Sequence, residues 1–381
     1  MAEPAPSAPP WLGWLPRALL VFFAYGLSGL YGLSFATWSD QVTLIWPPTG
    51  IALFALLIWG TRLWPAIGLS ALLINLAMGS SPLGALVIAV GNTAGPVLAA
   101  WLLQRLDFDP RFHAARDVLL FAGVGALAGM AVNASLGTLS LVLDGTLPWT
   151  VSGWVWLTWW LGDALGVLVV GPALLALAHR SEGPGTGRTE TLLAWAGLAV
   201  VSGLTLTPLS PLPDGLPTFL NLPFIIWLAM RQRPAHAAWG TLYLAALAVW
   251  SVTIGFGPFV DAAGQLEMVR LWSFMFILAI ASLLITTLRG ELTRALVESR
   301  AGEARLREAE RVARLGSWEL DLASGRLTWS PEIYHIFELD PARFQPSYEN
   351  FLAVIHPDDR ERVNQAYNQS LARREPYSIT H

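Results

Sequence analysis

Trp154 to Val170 reads WVWLTWWLGDALGVLVV, an apolar run that opens with four tryptophans and carries one carboxylate, Asp163, in its middle. As a helix this stretch covers about 25 Å, enough to cross most of a bilayer's hydrocarbon core. A lone carboxylate in lipid costs about 3 kcal/mol on insertion scales, so by default it faces other helices or a wet cavity and marks a functional site. The rest of the chain is therefore read as the bundle that shelters Asp163 and the machinery attached to it.

Composition supports a membrane chain. Hydrophobic residues make up 54% and charged residues 13% of 381, too apolar and too sparsely charged for a soluble enzyme of this length. The charges are also uneven. Met1 to Gly290 hold 11 arginines and 12 acids, while the last 91 residues hold 12 arginines and 15 acids. A long membrane part and a short water-soluble one follow. The absence of cysteine excludes disulfides and thiol-ligated metal sites, and the nearly neutral balance leaves no nucleic-acid footprint. The first apolar run lacks a cleavage signal and reads as a retained span.

Ten apolar segments can be drawn: Leu15 to Ala36, Val42 to Gly60, Leu63 to Met78, Leu83 to Leu103, Val118 to Leu141, Val151 to Ala178, Leu192 to Thr207, Thr218 to Met230, Ala237 to Ile254 and Val269 to Leu288. The third, seventh and eighth are short for about 30 Å of hydrocarbon. Eight spans are the alternative, with the seventh and eighth as a re-entrant pair. The arginines favour ten. Arg62, then Arg105, Arg111 and Arg116, then Arg180 and Arg188, then Arg231 and Arg233 occupy every second connection, and Arg289 follows the tenth segment. The other connections carry Asp40, Asp144, Asp214, Asp261 and Glu267, with Arg270 as their one positive charge. Arginine-rich loops stay in the cytoplasm, which places both termini inside a bacterial inner membrane.

This orientation gives the polar residues a depth. Asn92, Asn133 and Asp163 come out about 10 to 20 Å below the outer surface at about 1.5 Å per residue, with Asn75, Pro47 and Pro48 also in the outer half. A pocket open to the outside explains them together; separate interhelical hydrogen bonds explain them singly. Pro47 and Pro48 are expected to bend or break the second span. Gly91 and Gly95, Gly125 and Gly129, and Gly162 and Gly166 read as sites of close helix packing. The tryptophans at 149, 154, 156, 159 and 160 read first as interfacial anchors, with ligand stacking by Trp159 and Trp160 as the rival. The ligand-sensing candidates are Asp163, Asn92, Asn133, Pro47, Pro48, Trp159 and Trp160.

From Arg289 to Leu315 the chain is rich in helix formers, with Glu303–Arg307 and Glu310–Arg314 as i,i+4 pairs. A weak heptad runs Leu288, Leu292, Ala295, Ser299, Gly302, Leu306, Ala309, Ala313, interrupted by Ser299 and Gly302. It reads as a signalling helix, with Leu288, Leu292 and Leu306 as relay positions, dimeric only if another contact holds a homodimer together. Beyond it, Ser317 to Leu322 and Arg326 to Trp329 alternate as a hairpin, and Ser330-Pro331-Glu332 starts a short helix through Phe337. Tyr348 to Ile355 and a stretch from His356 to about Arg373 are expected to be helical, and Pro376 to Thr380 to begin another strand. Asp358 is expected to cap the last helix, and His335 to pack partly buried. Neither histidine argues for a metal or cofactor.

Three phrases, Trp46-Pro47-Pro48-Thr49-Gly50, Gly91-Asn92-Thr93 and Trp159-Trp160-Leu161-Gly162-Asp163-Ala164-Leu165-Gly166, together resemble the membrane-associated sensor domain of the first type, abbreviated MASE. The resemblance implies an integral-membrane input domain of bacterial signalling proteins, placed before histidine kinase or diguanylate cyclase outputs. The tail, with Gly316-Ser317-Trp318-Glu319-Leu320-Asp321, Trp329-Ser330-Pro331-Glu332 and His356-Pro357-Asp358-Asp359-Arg360, resembles the start of a PAS domain of the third sequence type. Such a sheet has five strands, of which this chain would supply the first two and the start of the third, so a truncated receptor is expected.

The chain shows no phosphoacceptor histidine motif, ATP lid, GGDEF phrase or P-loop, so no catalytic residue is assigned. The expected architecture is mainly α: a tail over 1–14, a membrane sensor bundle over 15–288, a helical linker over 289–313 and an incomplete α+β PAS domain over 314–381. The expected function is a sensory input module for two-component or cyclic di-GMP signalling, whose stimulus is a small molecule or a protein. A secondary transporter is the rival, since broken helices and a midplane acid also serve transport.

Overall fold

A computed structural model describes residues 11–33, 36–38, 42–179, 187–210, 217–260 and 265–381. Asp40, Arg180, Asp214, Asp261 and most of the amino-terminal tail lie outside these residues, as does the side chain of Glu267. The chain divides into two compact units, Met1–Leu292 and Thr293–His381.

The first unit is built from helices over the apolar stretches. They are α1 (Trp11–Leu33), α2 (Pro47–Trp59), α3 (Trp64–Ala77), α4 (Pro82–Arg105), α5 (Ala115–Leu143), α6 (Trp149–Ala178), α7 (Arg188–Leu206), α8 (Leu222–Arg231), α9 (Pro234–Thr253) and the start of α10 (Gln265–Ala313). Seven of these, all but α2, α3 and α8, are long and apolar enough to cross a membrane. The chain is a multi-pass membrane protein. Of the apolar stretch in α6, 72% is buried inside the protein, against 22% for Gly13–Leu33, so α6 sits at the centre and α1 at the rim.

The second apolar segment, Val42 to Gly60, is broken at Pro47 and is not bent. Pro47 and Pro48 do not bend a helix; they occupy its first turn, where a fixed φ and a missing N–H cost nothing. The residues before them run as strand β2 (Val42–Thr43), paired antiparallel with β1 (Ala36–Trp38), and then through a bend at Leu44 as irregular chain to Trp46. Residues 43–46 therefore enter the bundle outside any helix.

Two helices contain wide π turns, at Phe121–Ala128 in α5 and at Gly166–Val170 in α6. Glycine pairs set the crossing of α4 and α5. A Cβ on Gly95 would lie 2.9 Å from the Gly129 carbonyl, and one on Gly129 would lie 2.6 Å from Ala99 Cβ. The α7–α9 region is joined by polar contacts: Trp195 Nε1 donates to His236 Nδ1 at 3.1 Å, Ser202 bonds Tyr243 at 3.0 Å, and Asn221 Nδ2 donates to Thr205 at 2.8 Å.

Helix α10 is continuous from Gln265 to Ala313. Its residues Leu288, Leu292 and Leu306 are all exposed. Of the two expected ion pairs, Arg307 meets Glu303 at 3.6 Å, but Glu310 instead accepts from the Ser317 hydroxyl at 2.7 Å. Arg314 cannot complete its pair because the helix has ended and its backbone turns left-handed, at φ 51°.

The second unit holds a hairpin, β3 (Trp318–Leu320) and β4 (Leu327–Trp329), followed by α11 (Pro331–Ile336), α12 (Tyr348–Val354) and α13 (Pro357–Arg373). Its small core is aromatic, with Trp329 packed on Tyr334, Phe337, Phe344 and Phe351. Three local expectations fail. Pro376 to Thr380 forms no strand, since it pairs with no neighbour among the described residues. Position 356, not 358, is the cap of α13, and no side chain bonds there; Asp358 lies in the first turn. His335 is exposed and contacts Glu332 at 3.4 Å instead of packing.

Candidate functional site

Asp163 is completely buried. Its Oδ2 accepts a short hydrogen bond from Asn133 Nδ2 on α5, and among the described residues no arginine or histidine pairs with it. The carboxylate thus meets one amide in a region that offers no countercharge. Isolated buried charge is costly, and breaking such a contact costs more than it contributes when intact. Oδ1 of Asp163 and Oδ1 of Asn133 have no partner among the described residues, nor does the buried hydroxyl of Tyr25 on α1.

The backbone beside Asp163 is engaged as well. Thr49 Oγ1 lies 2.9 Å from the Asp163 carbonyl and 2.8 Å from the Trp46 carbonyl, so its hydroxyl donates at the junction of the two. The Trp46 N–H donates to the Gly162 carbonyl at 2.9 Å. Gly162 serves this approach of non-helical chain, while Gly166 serves close packing with α2 as well, since a Cβ on Gly50 of α2 would fall on the Gly166 carbonyl. A Cβ on Gly162 would lie 2.6 Å from the Thr43 carbonyl, and one on Gly166 would fall on the Trp46 carbonyl. Residues 43–46 and the first turn of α2 thus lie in a groove along α6, held by donors and acceptors outside any helix of their own.

One more bond ties this segment to α10. The indole N–H of Trp272, a fully buried residue, donates to the Leu44 carbonyl at 3.0 Å, and Trp154 packs against the Trp272 ring at 6.2 Å. Asp163 and the last membrane helix are therefore linked through the backbone of residues 44–49, with a hydrogen bond at each end, beside the Trp154–Trp272 contact.

Next to this arrangement lies a cavity of about 20 Å³ lined by Leu33, Thr43, Trp46, Asn75, Ile88, Asn92 and Trp159. Asn92 is buried, and neither its Oδ1 nor Trp46 Nε1 has a partner among the described residues. Trp159 and Asp163 stand one turn apart on the same face of α6.

The sequence candidates divide accordingly. Asn133 joins Asp163; Asn92 and Trp159 share the cavity; Pro47 and Pro48 start the helix that presents Thr49. Trp160 belongs elsewhere. Its Nε1 donates to the Leu127 carbonyl at 2.7 Å, inside the π turn of α5, and Trp156 stacks on it while donating to Ser135 at 3.0 Å. A π turn leaves a carbonyl without its usual intrahelical donor, and Trp160 satisfies one. Of the five clustered tryptophans, Trp149 is 75% exposed, Trp154, Trp156 and Trp160 are partly buried against the core, and Trp159 is buried. Tyr25, Thr49 and Trp272 escaped the sequence reading as site residues, since a tyrosine, a threonine and a tryptophan in apolar helices carry no spacing signal of their own.

Comparison with known families gives two matches: the MASE1 model over residues 15–292 and the PAS fold model over residues 326–381. No curated protein and no solved structure matches the chain.

Proposed function

The chain belongs to the MASE1 family and is a membrane-associated sensor input module, and from that premise we propose that it detects its stimulus at Asp163 and relays it along α10 to the PAS segment. The reading is carried by one observation: Asp163 is buried without a basic partner, yet two hydrogen-bonded steps lead from its backbone to Trp272 on α10. A change in charge at Asp163, by gain of a proton or arrival of a cation, alters what Asn133 and segment 44–49 can hold in place. Two arrangements of the bundle then differ in how they bind the stimulus, and the position of Trp272 differs with them. Leu288, Leu292 and Leu306 lie on the helix that transmits the shift.

We place the module in a bacterial inner membrane with both termini cytoplasmic, serving a histidine kinase or diguanylate cyclase output in two-component or cyclic di-GMP signalling. The arginine distribution and the pairing of MASE1 with a PAS fold support this assignment.

The test uses the absence of cysteine. A single spin label introduced as Leu296→Cys reports α10 in the chain reconstituted in lipid nanodiscs. Asp163→Asn should leave the protein inserted and folded but change the label's mobility. Unchanged mobility with normal insertion removes Asp163 from the relay, whereas loss of insertion makes the residue structural.

A further inference from the structure

We propose that His236 is a proton-binding site that joins α7 to α9 while it is neutral and releases the joint when acid protonates it. Three side-chain pairs tie α7 to the chain at and just before α9 with the same offset of 41 residues, so the two helices run parallel in one fixed register. Thr191 Oγ1 donates to Gln232 Oε1 at 2.8 Å, Trp195 Nε1 donates to His236 Nδ1 at 3.1 Å, and the hydroxyls of Ser202 and Tyr243 meet at 3.0 Å. Positions 191, 195 and 202 share one face of α7. Only the middle pair contains a side chain of the type that ordinarily changes charge between about pH 5 and 8.

An indole N–H donates and never accepts, so the middle bond needs Nδ1 without a proton and puts the imidazole hydrogen on Nε2. Acid removes the acceptor. In the imidazolium both ring nitrogens carry hydrogens, and no rotation of the ring restores a lone pair. The surroundings offer the new charge no carboxylate. On α9, Arg233 stands one turn back, its carbonyl accepting from the His236 N–H at 2.9 Å. On α7, Arg188 adds a second positive charge, and Glu190 is engaged by Arg231 of α8 at 3.0 Å and by Trp227 Nε1 at 2.9 Å. The end of α6, which packs on α9, is followed by His179. Among the described residues no acid pairs with His236. The residue is half-buried in the first turn of α9, within reach of protons from water. The Trp195 ring lies between those of His236 and Tyr243, with centroids 6.4 and 6.3 Å away, so its release also disturbs the Tyr243–Ser202 pair.

The experiment uses the full chain in phosphatidylcholine nanodiscs with a pair of spin labels, Leu193→Cys on α7 and Ala246→Cys on α9, both exposed positions. Pulsed dipolar spectroscopy reads the distance between them from about pH 8 to about pH 5, the range over which histidine ordinarily titrates. A longer and broader distance distribution is expected in acid, reached through a single titration and reversed on return to neutral pH. His236→Gln keeps an oxygen that can accept from Trp195 but binds no proton in this range, so it should hold the neutral distribution throughout. Trp195→Phe lacks the N–H and has no bond to lose, so its distribution should not change with pH; it serves as the second variant should the first fail to fold. A distribution that is the same at both ends of the range in the labelled parent overturns the proposal. So does a shift that survives in His236→Gln or in Trp195→Phe, since the titrating group would then be another, such as Asp163 or His179.

Discussion

The carboxylate of Glu291, on α10, accepts a hydrogen bond of 3.0 Å from the backbone N–H of Ala115, the first residue of α5. The same turn is held by Asp117, which accepts from the N–H groups of Ala114 at 2.9 Å and Asp109 at 3.2 Å. Helix amino ends present unpaired N–H groups and a positive partial charge, so both acids are well placed. The helix they cap carries Asn133, the partner of Asp163. Glu291→Ala should therefore lower the stability of the membrane unit by about 1 kcal/mol, the usual cost of losing a cap, and Glu291→Gln should recover most of it. Reversible denaturation in mild detergent measures the difference; equal stabilities for all three would show that the contact contributes nothing.

Gly166 is the tightest of the close approaches between α6 and segment 43–49. Gly166→Ala forces the Trp46 carbonyl aside and should cost about 1–3 kcal/mol as overpacking, together with the Thr49 contacts. Gly153, on the same helix, has open space where a Cβ would stand, so Gly153→Ala should be neutral to within about 0.5 kcal/mol. Similar losses for the two variants would contradict the groove described for α6.

Asp144 and Arg188 flank α6 and should report opposite sides of the membrane. Alkaline phosphatase fused after Asp144 is expected to be active and a fusion after Arg188 inactive, with the reverse for a cytoplasmic reporter. Identical readings at both positions would require an even number of crossings between them.

In the second unit, Asp321 accepts from the Ala323 N–H at 2.9 Å, the Ser324 N–H at 3.3 Å and the Ser324 hydroxyl at 2.8 Å. The Ser324 hydroxyl first, then the two amides, hold this carboxyl below its ordinary value. A folded value below the unfolded one means that the turn's stabilisation is complete above the unfolded value of about 3.9 and fades as acid protonates the folded group. The Ala323 and Ser324 amide resonances should therefore titrate with a midpoint below about 3.9. A midpoint at or above that value would mean the three bonds do not favour the charged form.

How much of this was legible depended on the kind of signal. The apolar stretches could be read because burial in lipid is set by composition over about 20 residues, and Asp163 could be read because a carboxylate in such a stretch has to be sheltered. Which amide shelters it could not. Asn92 and Asn133 look equivalent in sequence, and only the crossing of α4 and α5 turns one to the acid and the other to the cavity. Trp159 and Trp160 are neighbours with different duties for the same reason, being about 100° apart around α6. The glycines at 162 and 166 announce a close approach but not its partners, which are the non-helical chain at 43–44 for Gly162 and Trp46 with the start of α2 for Gly166. Pro47 and Pro48 signal a bend or a break in the second span, and only the structure shows that it is a break with the prolines as the start of α2. The exposed His335 went unanticipated because a six-residue helix leaves little periodicity to read.

The wide turns at Phe121–Ala128 and Gly166–Val170 each accommodate a surplus residue without rotating the helix on either side. Most membrane helices are locked in length, because one deletion swings every later side chain by about 100°. Here the surplus can be given up: a chain one residue shorter within either turn relaxes to ordinary α geometry with the flanking faces still in phase. Length variation among related receptors is therefore expected at these two turns, on either side of the paired amide and acid.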